Sequence, residues 1–202
     1  KFRALDGNEY EPGTGACVIA DDSGVLALGG VMGGEASGCK EATVNVFIES
    51  AYFDPLRTSA TGRKFGIESD ARYRFERGVD PQFVLPGLEL ATRMVMQLCG
   101  GTPSDILIAG VVPPAPAPIE FRPEKVAQIT GMQLADAECV RILDALGFAV
   151  EADTQPMAVR APSWRPDIHG ETDLIEEIAR IHGFDKLPAT PLPRVQAVSG
   201  RA

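Results

Sequence analysis

Short apolar runs separated by Gly- and Asp-rich turns occupy the first part of the chain. The runs ACVIAD, GVLALGG and NVFIESAYF alternate as half-buried strands do, and they predict a β-rich layer. Further along, Asp80 and Pro81 predict a helix cap and first turn, and apolar residues then recur at helical spacing as far as Leu98. Pro86 lies inside this run, so we expect the helix to kink or to begin there.

The second half of the chain has the pattern helix, helix, strand, strand, helix. RPEKVAQITG and DAECVRILDALG each start with a helix-initiating residue and end on glycine, at Gly131 and Gly147. FAVEA and MAVRAP alternate and predict a hairpin, and ETDLIEEIARIHG predicts an amphipathic helix. Two helices and a hairpin are typical of winged-helix or helix-turn-helix domains.

Proline-rich segments divide the sequence. VVPPAPAP predicts an extended, semi-rigid linker, and LPATPLP closes the second unit. We therefore predict an α+β protein with a first domain at residues 1–112, a linker at 113–118, a second domain at 119–190 and a tail at 191–202.

Charge changes this picture only locally. The 202 residues carry a formal net charge of −9, which disfavours broad binding to phosphate backbones. Residues 57–77 nevertheless contain six basic and three acidic side chains, whereas residues 119–190 contain seven basic and thirteen acidic ones. One segment is locally basic and the other is strongly acidic.

The cysteines and the chain ends suggest a cellular setting. The four cysteines are scattered and form no CxxC pair, so we expect neither disulfides nor zinc and infer a reducing, cytoplasmic environment. No apolar run is long enough for a membrane span, and no signal-peptide layout is present. Because the sequence does not begin with Met, we expect a fragment of a longer polypeptide.

Two features of the first domain suit a binding site. GGVMGGEASG lacks the spacing of a P-loop or a dinucleotide fingerprint, which leaves either a tight turn or a close approach of backbone to ligand, and the spacing slightly favours the turn. Glu49 lies within an apolar predicted strand. It is either an ordinary solvent-facing acid or a half-buried acceptor for a donor on a ligand.

An acidic cluster marks the last predicted helix. Asp173, Glu176 and Glu177 lie at i, i+3 and i+4 and are expected to share one helix face, to which Asp167 could fold back. Hard oxygen ligands of this kind suit Mg²⁺. A solvated face on which Arg180 pairs with Glu176 or Glu177 is an equally good interpretation.

These segments occur together, and in this order, in one family. GGVMGG, NVFIESAYFDP, SDARYRFERGVDP, APSWRPDI and ETDLIEEIARIHGFDKLP resemble the β subunits of bacterial phenylalanyl-tRNA synthetases over nearly the whole chain. The resemblance implies a B3/B4-like editing unit followed by a small B5-like domain of helix-turn-helix or winged-helix type.

The resemblance also implies residue roles in the first unit. In this family the B3/B4 module hydrolyses tyrosine that has been attached by mistake to tRNA-Phe. Gly33, Glu49, Ser69 and Ala71 match its pocket. Glu49 would accept a hydrogen bond from the tyrosine hydroxyl, Gly33 and Ala71 would leave room for the ring, and Ser69 would orient the ester or the attacking water.

Further implied properties concern the metal and the partners. Asp167, Asp173, Glu176 and Glu177 match positions described as binding Mg²⁺ in a site shared with the α subunit. The resemblance implies an α₂β₂ enzyme that acts on tRNA-Phe, with ATP bound and aminoacylation performed on the α subunit.

The fragment by itself is expected to be inactive. The resemblance places further pocket-forming chain upstream, so the fragment alone should neither charge tRNA nor edit. The alternative is a non-catalytic scaffold that binds the α subunit or tRNA.

Overall fold

A computed structural model describes residues 1–189 of the chain. These residues form two compact units. The first consists of Lys1–Ala115 together with Ser163–Asp167, and the second consists of Pro116–Pro162 together with the described residues from Ile168 onward. The mixed helix and strand content confirms the predicted α+β class.

Two small antiparallel sheets build part of the first unit. One pairs β1 (Phe2–Arg3) with β2 (Glu9–Tyr10). The other has the order β3-β4-β5 and contains β3 (Val18–Asp21), β4 (Gly24–Leu28) and β5 (Met32–Gly33). The strands predicted in ACVIAD and GVLALGG are therefore confirmed.

The core of the first unit is small. It contains five buried side chains, with Tyr10 and Phe65 among the apolar residues that pack against it. Four of the buried members lie in β1 and β4 or soon after them, and the fifth lies further along the chain: Phe2, Ala4, Leu28, Val31 and Ile67. The glycine-rich loop is the connection between β4 and β5, at residues 29–31. Through Leu28 and Val31 this core attaches the loop to the remainder of the unit.

Two helices of the first unit were not predicted from the sequence. α1 (Pro55–Phe65) begins after Asp54, and α2 (Asp70–Phe75) begins after Ser69; each capping side chain accepts a backbone N–H of the first turn. Polar and charged residues dominate α1, and α2 has only six residues, so neither shows a clear apolar period. The cap residues were the available signal.

The third helix of this unit follows the prediction with a shift. The Asp80 carboxylate accepts a hydrogen bond from the Gln82 N–H at 2.9 Å, a 3₁₀ turn spans Pro81–Phe83, and α3 runs over Val84–Cys99. Pro86 falls in the first turn of α3, where its missing N–H leaves no intrahelical hydrogen bond unmade. The helix therefore begins at Val84, two residues before the start expected at Pro86.

The predicted third strand does not form. Residues 45–53 have no regular secondary structure and pair with no strand among the described residues. Val44 and Phe47 are almost fully exposed. Alternating apolar residues stabilise a strand only when a neighbouring strand receives its backbone hydrogen bonds, and none does so here. The strand prediction for NVFIESAYF is wrong for this structure.

The second unit has a three-stranded antiparallel sheet and three helices. The sheet order is β6-β8-β7. The elements in chain order are β6 (Ile119–Phe121), α4 (Glu124–Thr130), α5 (Asp136–Ala145), β7 (Ala149–Glu151), β8 (Met157–Arg160) and α6 (Glu171–His182), followed by a 3₁₀ turn at Phe184–Lys186. The predicted order of helices and hairpin is confirmed, and β6 is an additional strand that the sequence analysis missed.

One apolar core holds the second unit together. Leu174, Ile175 and Ile178 of α6 are buried in it, beside Phe121 of β6 and Val159 of β8. The apolar face predicted for the last helix is therefore the face that packs. Full burial of side chains of this size contributes roughly 1.5–3 kcal/mol each.

The structure does not test the predicted domain boundaries or the predicted tail. The predicted domain boundaries stay predictions, and the predicted tail at 191–202 lies outside the described residues. Among the described residues, no helix has the length and apolar character needed to cross a membrane.

Candidate functional site

A cavity of about 640 Å³ opens in the first unit. Its walls come from the glycine-rich loop after β4, residues 49–53, and the starts of α2 and α3. All four residues that the family resemblance assigned to an editing pocket line it: Gly33, Glu49, Ser69 and Ala71. The fold thus brings three separate stretches of the chain to one cavity.

The glycine-rich loop makes room for an aromatic wall. A Cβ atom on Gly29 would lie 2.8 Å from the Phe53 ring, and one on Gly30 would lie 2.9 Å from Phe53 and 3.1 Å from Phe75. The two phenylalanine rings pack edge to face with centroids 5.1 Å apart. Gly30 also has a φ of +68°, which a turn requires. Both interpretations of the glycine-rich segment therefore apply: it forms a tight turn, and its backbone is closely approached. The approaching groups are the Phe53 and Phe75 rings of the protein itself.

Gly33 has a similar neighbour. A Cβ atom at this position would lie 2.9 Å from Leu5 Cδ1. Leu5 also lines the cavity and is 64% exposed. The space beside Gly33 is therefore bounded by a side chain that can move, and a ligand ring could displace it at small cost.

Glu49 places one carboxyl group on an otherwise apolar stretch of the cavity wall. No described residue donates a hydrogen bond to its side chain or forms an ion pair with it. Glu49 as a whole is an exposed residue. Protein atoms around its carboxyl nevertheless displace enough water to raise its pKa above the usual range. The neighbouring Ser50 hydroxyl donates to the Val84 carbonyl at 2.7 Å and holds this stretch against the start of α3.

The Ser69 hydroxyl uses its single donor and one acceptor position within the protein. It donates to the Val31 carbonyl at 2.5 Å and accepts the Arg72 backbone N–H at 3.1 Å. Its hydrogen is therefore directed at the glycine-rich loop and is not aimed at a ligand. This arrangement fixes the start of α2, and with it Ala71, against the opposite wall of the cavity.

Arg72 is an internal brace. Its guanidinium donates to the Glu76 carboxylate at 2.9 Å and to the Ile67 carbonyl at 2.6 Å, and only 15% of its side chain is exposed. Gly62 of α1 lies directly against this side chain, so a Cβ atom there would collide with it. In the stretch GIESDARYRFERGVDP, Arg72 and Glu76 therefore serve to attach α2 to α1.

The other arginines of this stretch lie nearer the surface. Arg77 donates to Glu76 at 3.1 Å and stacks its guanidinium 3.8 Å from the centroid of the Tyr73 ring. Partial burial acts to raise the pKa of the Glu76 carboxyl, but the hydrogen bonds and charges of Arg72 and Arg77 outweigh it, and the pKa is lowered. Arg74 is exposed, and its one hydrogen bond among residues 1–189 goes to the Asp70 carbonyl at 3.3 Å.

Three of the four predicted metal ligands accept hydrogen bonds from protein groups. Asp167 accepts two hydrogen bonds from Arg165, at 2.9 and 2.6 Å, and Asp173 accepts the backbone N–H groups of His169 and Gly170 at the start of α6. Among residues 1–189, no group of three or more His, Cys, Asp or Glu side chains is arranged to hold a metal ion.

The two glutamates of the cluster also differ in environment. Glu177 is buried and accepts two hydrogen bonds from Arg180, at 3.1 and 2.8 Å, whereas Glu176 is exposed. The acidic side chains of α6 thus lie in different environments, with Glu177 buried beside Arg180 and Glu176 in solvent. As placed, the residues do not fit a Mg²⁺ site, and the pairing of Arg180 with Glu177 is the alternative that the structure shows.

Several cavity residues were missed by the sequence analysis. Phe53, Phe75 and Phe83 line the cavity together with Leu5. A single apolar residue in a polar stretch gives no functional signal, since cores use the same residue types. Only the close approach of two glycines to the rings of Phe53 and Phe75 distinguishes this wall.

Known protein families match both halves of the chain. Residues 1–100 match the family model described as the B3/4 domain, and residues 119–184 match the tRNA synthetase B5 domain. The chain is 53% identical to the phenylalanine–tRNA ligase beta subunit of Paramagnetospirillum magneticum over 94% of its length, and 55% identical to that of Rhodospirillum rubrum over 96%. Identity to the beta subunit of Mesorhizobium japonicum is 48% over 100% of the chain.

The matched region is a limited part of each relative. It covers 24% of the Paramagnetospirillum and Rhodospirillum proteins and 25% of the Mesorhizobium protein, so the chain spans about a quarter of their length. The two domain matches lie in the same order as the two structural units. The chain therefore belongs to the phenylalanine–tRNA ligase β-subunit family, of which it carries the B3/4 and B5 domains.

Proposed function

We propose that this chain forms part of a phenylalanine–tRNA ligase β subunit and carries part of a site that hydrolyses mischarged Tyr-tRNA-Phe. The complete protein would act in an α₂β₂ assembly, with ATP-dependent aminoacylation on the α subunit. The relatives from Paramagnetospirillum and Rhodospirillum are phenylalanine–tRNA ligase beta subunits, and this supports the ligase assignment. The cavity of the first unit supports the editing role.

The observation that carries the editing proposal is the environment of Glu49. It is a carboxyl acceptor on a cavity wall formed largely by apolar residues, and no described residue donates to it. A tyrosine side chain in this cavity would bring one phenolic O–H to that acceptor. Phenylalanine would fill the same space without satisfying it, at a cost of roughly 1–3 kcal/mol for the unpaired group.

The chemistry required of the site is modest. Hydrolysis breaks the ester bond between tyrosine and the terminal ribose, with water supplying OH to the carbonyl carbon and H to the ribose oxygen. The Ser69 hydroxyl already donates to Val31, so it positions the cavity wall and is not assigned as nucleophile. We assign the attack to a water molecule held beside the ester.

Deacylation by the complete enzyme tests this proposal. Glu49→Ala should reduce the ratio of kcat/KM for Tyr-tRNA-Phe over Phe-tRNA-Phe, because the acceptor that distinguishes the two is removed. Glu41→Ala is a matched control, since Glu41 is an exposed acid outside the cavity. Unchanged selectivity in Glu49→Ala would show that Glu49 does not read the tyrosine hydroxyl.

Other properties implied by the family are proposed for the complete protein only. We infer a cytoplasmic enzyme that binds tRNA-Phe and the α subunit. Mg²⁺ receives no role in the proposed hydrolysis, because the four carboxylates do not form a metal site as they are placed.

A scaffold role is the second candidate. No residue of α3 is buried, and Leu90, Met94 and Leu98 are exposed on it. An apolar helix surface of this kind suits contact with other protein. Two measurements distinguish the scaffold from the editing site. The first is binding of this chain to separately made α subunit, and the second is hydrolysis of Tyr-tRNA-Phe by the complete enzyme. Binding in the first without hydrolysis in the second favours the scaffold.

A further inference from the structure

A second cavity of about 490 Å³ lies next to the first. Helix α2 contributes to both: Ala71 and Phe75 line the first cavity, whereas Asp70 and Tyr73 line the second. Residues two apart on a helix point in nearly opposite directions, which explains this division. Ser69, the cap of α2, is the one residue that the two cavities share.

The second cavity contains a preformed stacking surface. Tyr73 is 60% exposed, and the Arg77 guanidinium covers one face of its ring at 3.8 Å from the centroid. Hydrogen bonds from Arg77 to the Tyr73 carbonyl, at 2.8 Å, and to Glu76, at 3.1 Å, fix the guanidinium in this position. A tyrosine held from one side and open on the other is the type of surface on which nucleic-acid bases stack.

The polar groups of this cavity suit a nucleoside better than a free phosphate. Glu68 and Asp70 flank Ser69 and form no ion pair with any described residue. Their carboxylates can accept hydrogen bonds from ribose hydroxyls, as acidic residues do in dinucleotide sites. They would repel a phosphate placed in the cavity itself, whereas the exposed side chains of Arg74 in α2 and Arg77 just after it could lie beside one.

We propose that the second cavity binds the terminal adenosine of the aminoacyl-tRNA, with the base on Tyr73 and the ribose beside Ser69. Tyr73 lies four residues after Ser69, about 6 Å along the helix axis, which allows one nucleoside to reach from the ring to the junction of the cavities. The ester then enters the first cavity, where the amino acid meets Glu49. This inference rests on the proposed editing function.

Two small esters test the inference in the complete enzyme. Tyrosyl-adenosine carries the nucleoside, and tyrosine methyl ester does not. Tyr73→Ala should lower kcat/KM for tyrosyl-adenosine by about tenfold to a hundredfold, the range for loss of one stacked base, and leave hydrolysis of the methyl ester unchanged. Tyr73→Phe keeps the ring and should retain both activities, and Arg77→Gln should show a smaller loss confined to the adenosine ester.

Each other outcome has a distinct meaning. Equal losses on both esters in Tyr73→Ala, or no loss on either, would overturn the adenosine site while leaving the editing function in place. Failure of the unmodified enzyme to hydrolyse either ester would overturn the editing function, and the inference with it. Tyr52→Ala serves as the matched control, because Tyr52 is an exposed tyrosine that lines neither cavity.

Discussion

The Ser69 hydroxyl donates a 2.5 Å hydrogen bond to the Val31 carbonyl, and this contact joins the start of α2 to the glycine-rich loop. The same oxygen caps α2 by accepting the Arg72 N–H. Two walls of the cavity are therefore held in register by one side chain. A residue that lines a site can thus act on it through the backbone.

Replacing Ser69 should separate positioning from catalysis. Ser69→Ala removes both hydrogen bonds and should lower the free energy of unfolding by about 0.5–2 kcal/mol, the usual effect of losing a helix cap. Ser69→Thr keeps the hydroxyl and should preserve both stability and editing. Urea unfolding of the chain and Tyr-tRNA-Phe deacylation by the complete enzyme measure the two effects. Full stability with lost deacylation in Ser69→Ala would instead indicate a direct catalytic contact.

The selectivity of editing should depend on pH through Glu49. Partial burial raises the pKa of this carboxyl, so it takes up a proton at a higher pH than an ordinary glutamate. Above that pKa the anion is a strong acceptor for the tyrosine hydroxyl, and below it the neutral group is weaker. We expect the ratio of Tyr-tRNA-Phe to Phe-tRNA-Phe hydrolysis to fall as the pH is lowered through this pKa.

Glu49→Gln provides the control for that profile. The amide does not titrate, so its selectivity should be constant over the same pH range. The ratio of the two substrates removes the pH dependence of ester hydrolysis itself. A ratio that varies equally in the unmodified enzyme and in Glu49→Gln would assign the titration to another group.

Two isoleucines of α6 give a matched test of the second core. Ile178 is fully buried, whereas Ile181 is 43% exposed. Ile178→Ala should lower the free energy of unfolding by about 2–5 kcal/mol, because it removes buried methylene groups and leaves a cavity. Ile181→Ala should cost less than about 1 kcal/mol. Similar losses in urea unfolding of the two variants would contradict the packing described for α6.

Acid should weaken the second unit through Glu171. Its carboxylate accepts hydrogen bonds from the Arg122 side chain at 3.0 and 2.7 Å and from the Arg122 backbone at 2.9 Å, and these contacts lower the pKa of Glu171 below the usual range. The folded state thus binds this proton less tightly than the unfolded state. The resulting stability is present above the ordinary glutamate pKa and is lost as the pH falls through the lowered value.

Urea unfolding at neutral and at acidic pH measures whether the stability contributed by Glu171 is lost on acidification. Glu171→Gln should be less stable than the unmodified chain at neutral pH and should lose less stability on acidification. Glu151→Gln makes the same change of charge at an exposed position of β7. If the two variants respond alike to acid, the Arg122–Glu171 pair does not contribute to the pH dependence.

Magnesium should not stabilise this chain by itself. Asp167, Asp173 and Glu177 already accept hydrogen bonds from arginine side chains or backbone N–H groups. We expect millimolar MgCl₂ to leave the thermal unfolding midpoint unchanged relative to EDTA. A saturable rise in the midpoint that disappears in the Asp173→Ala/Glu177→Ala double variant would show that the carboxylates rearrange to bind the ion.

The sequence by itself determined the order of elements in the second unit and the apolar face of its last helix. Those features depend on residues close together in the chain: glycine stops, cap residues and the 3.6-residue period. The family motifs also selected Gly33, Glu49, Ser69 and Ala71, which proved to line one cavity. The sequence pattern was sufficient for features that depend on interactions between residues close together in the chain.

Only the tertiary structure decided the remainder. The alternating pattern of residues 45–53 predicted a strand, but strand formation also needs a partner at hydrogen-bonding distance. The spacing of Asp173, Glu176 and Glu177 predicted one acidic face, but packing of α6 buried Glu177 and left Glu176 exposed. The junction of the two cavities at Ser69 depends on how α2 packs against the glycine-rich loop, which no local pattern encodes.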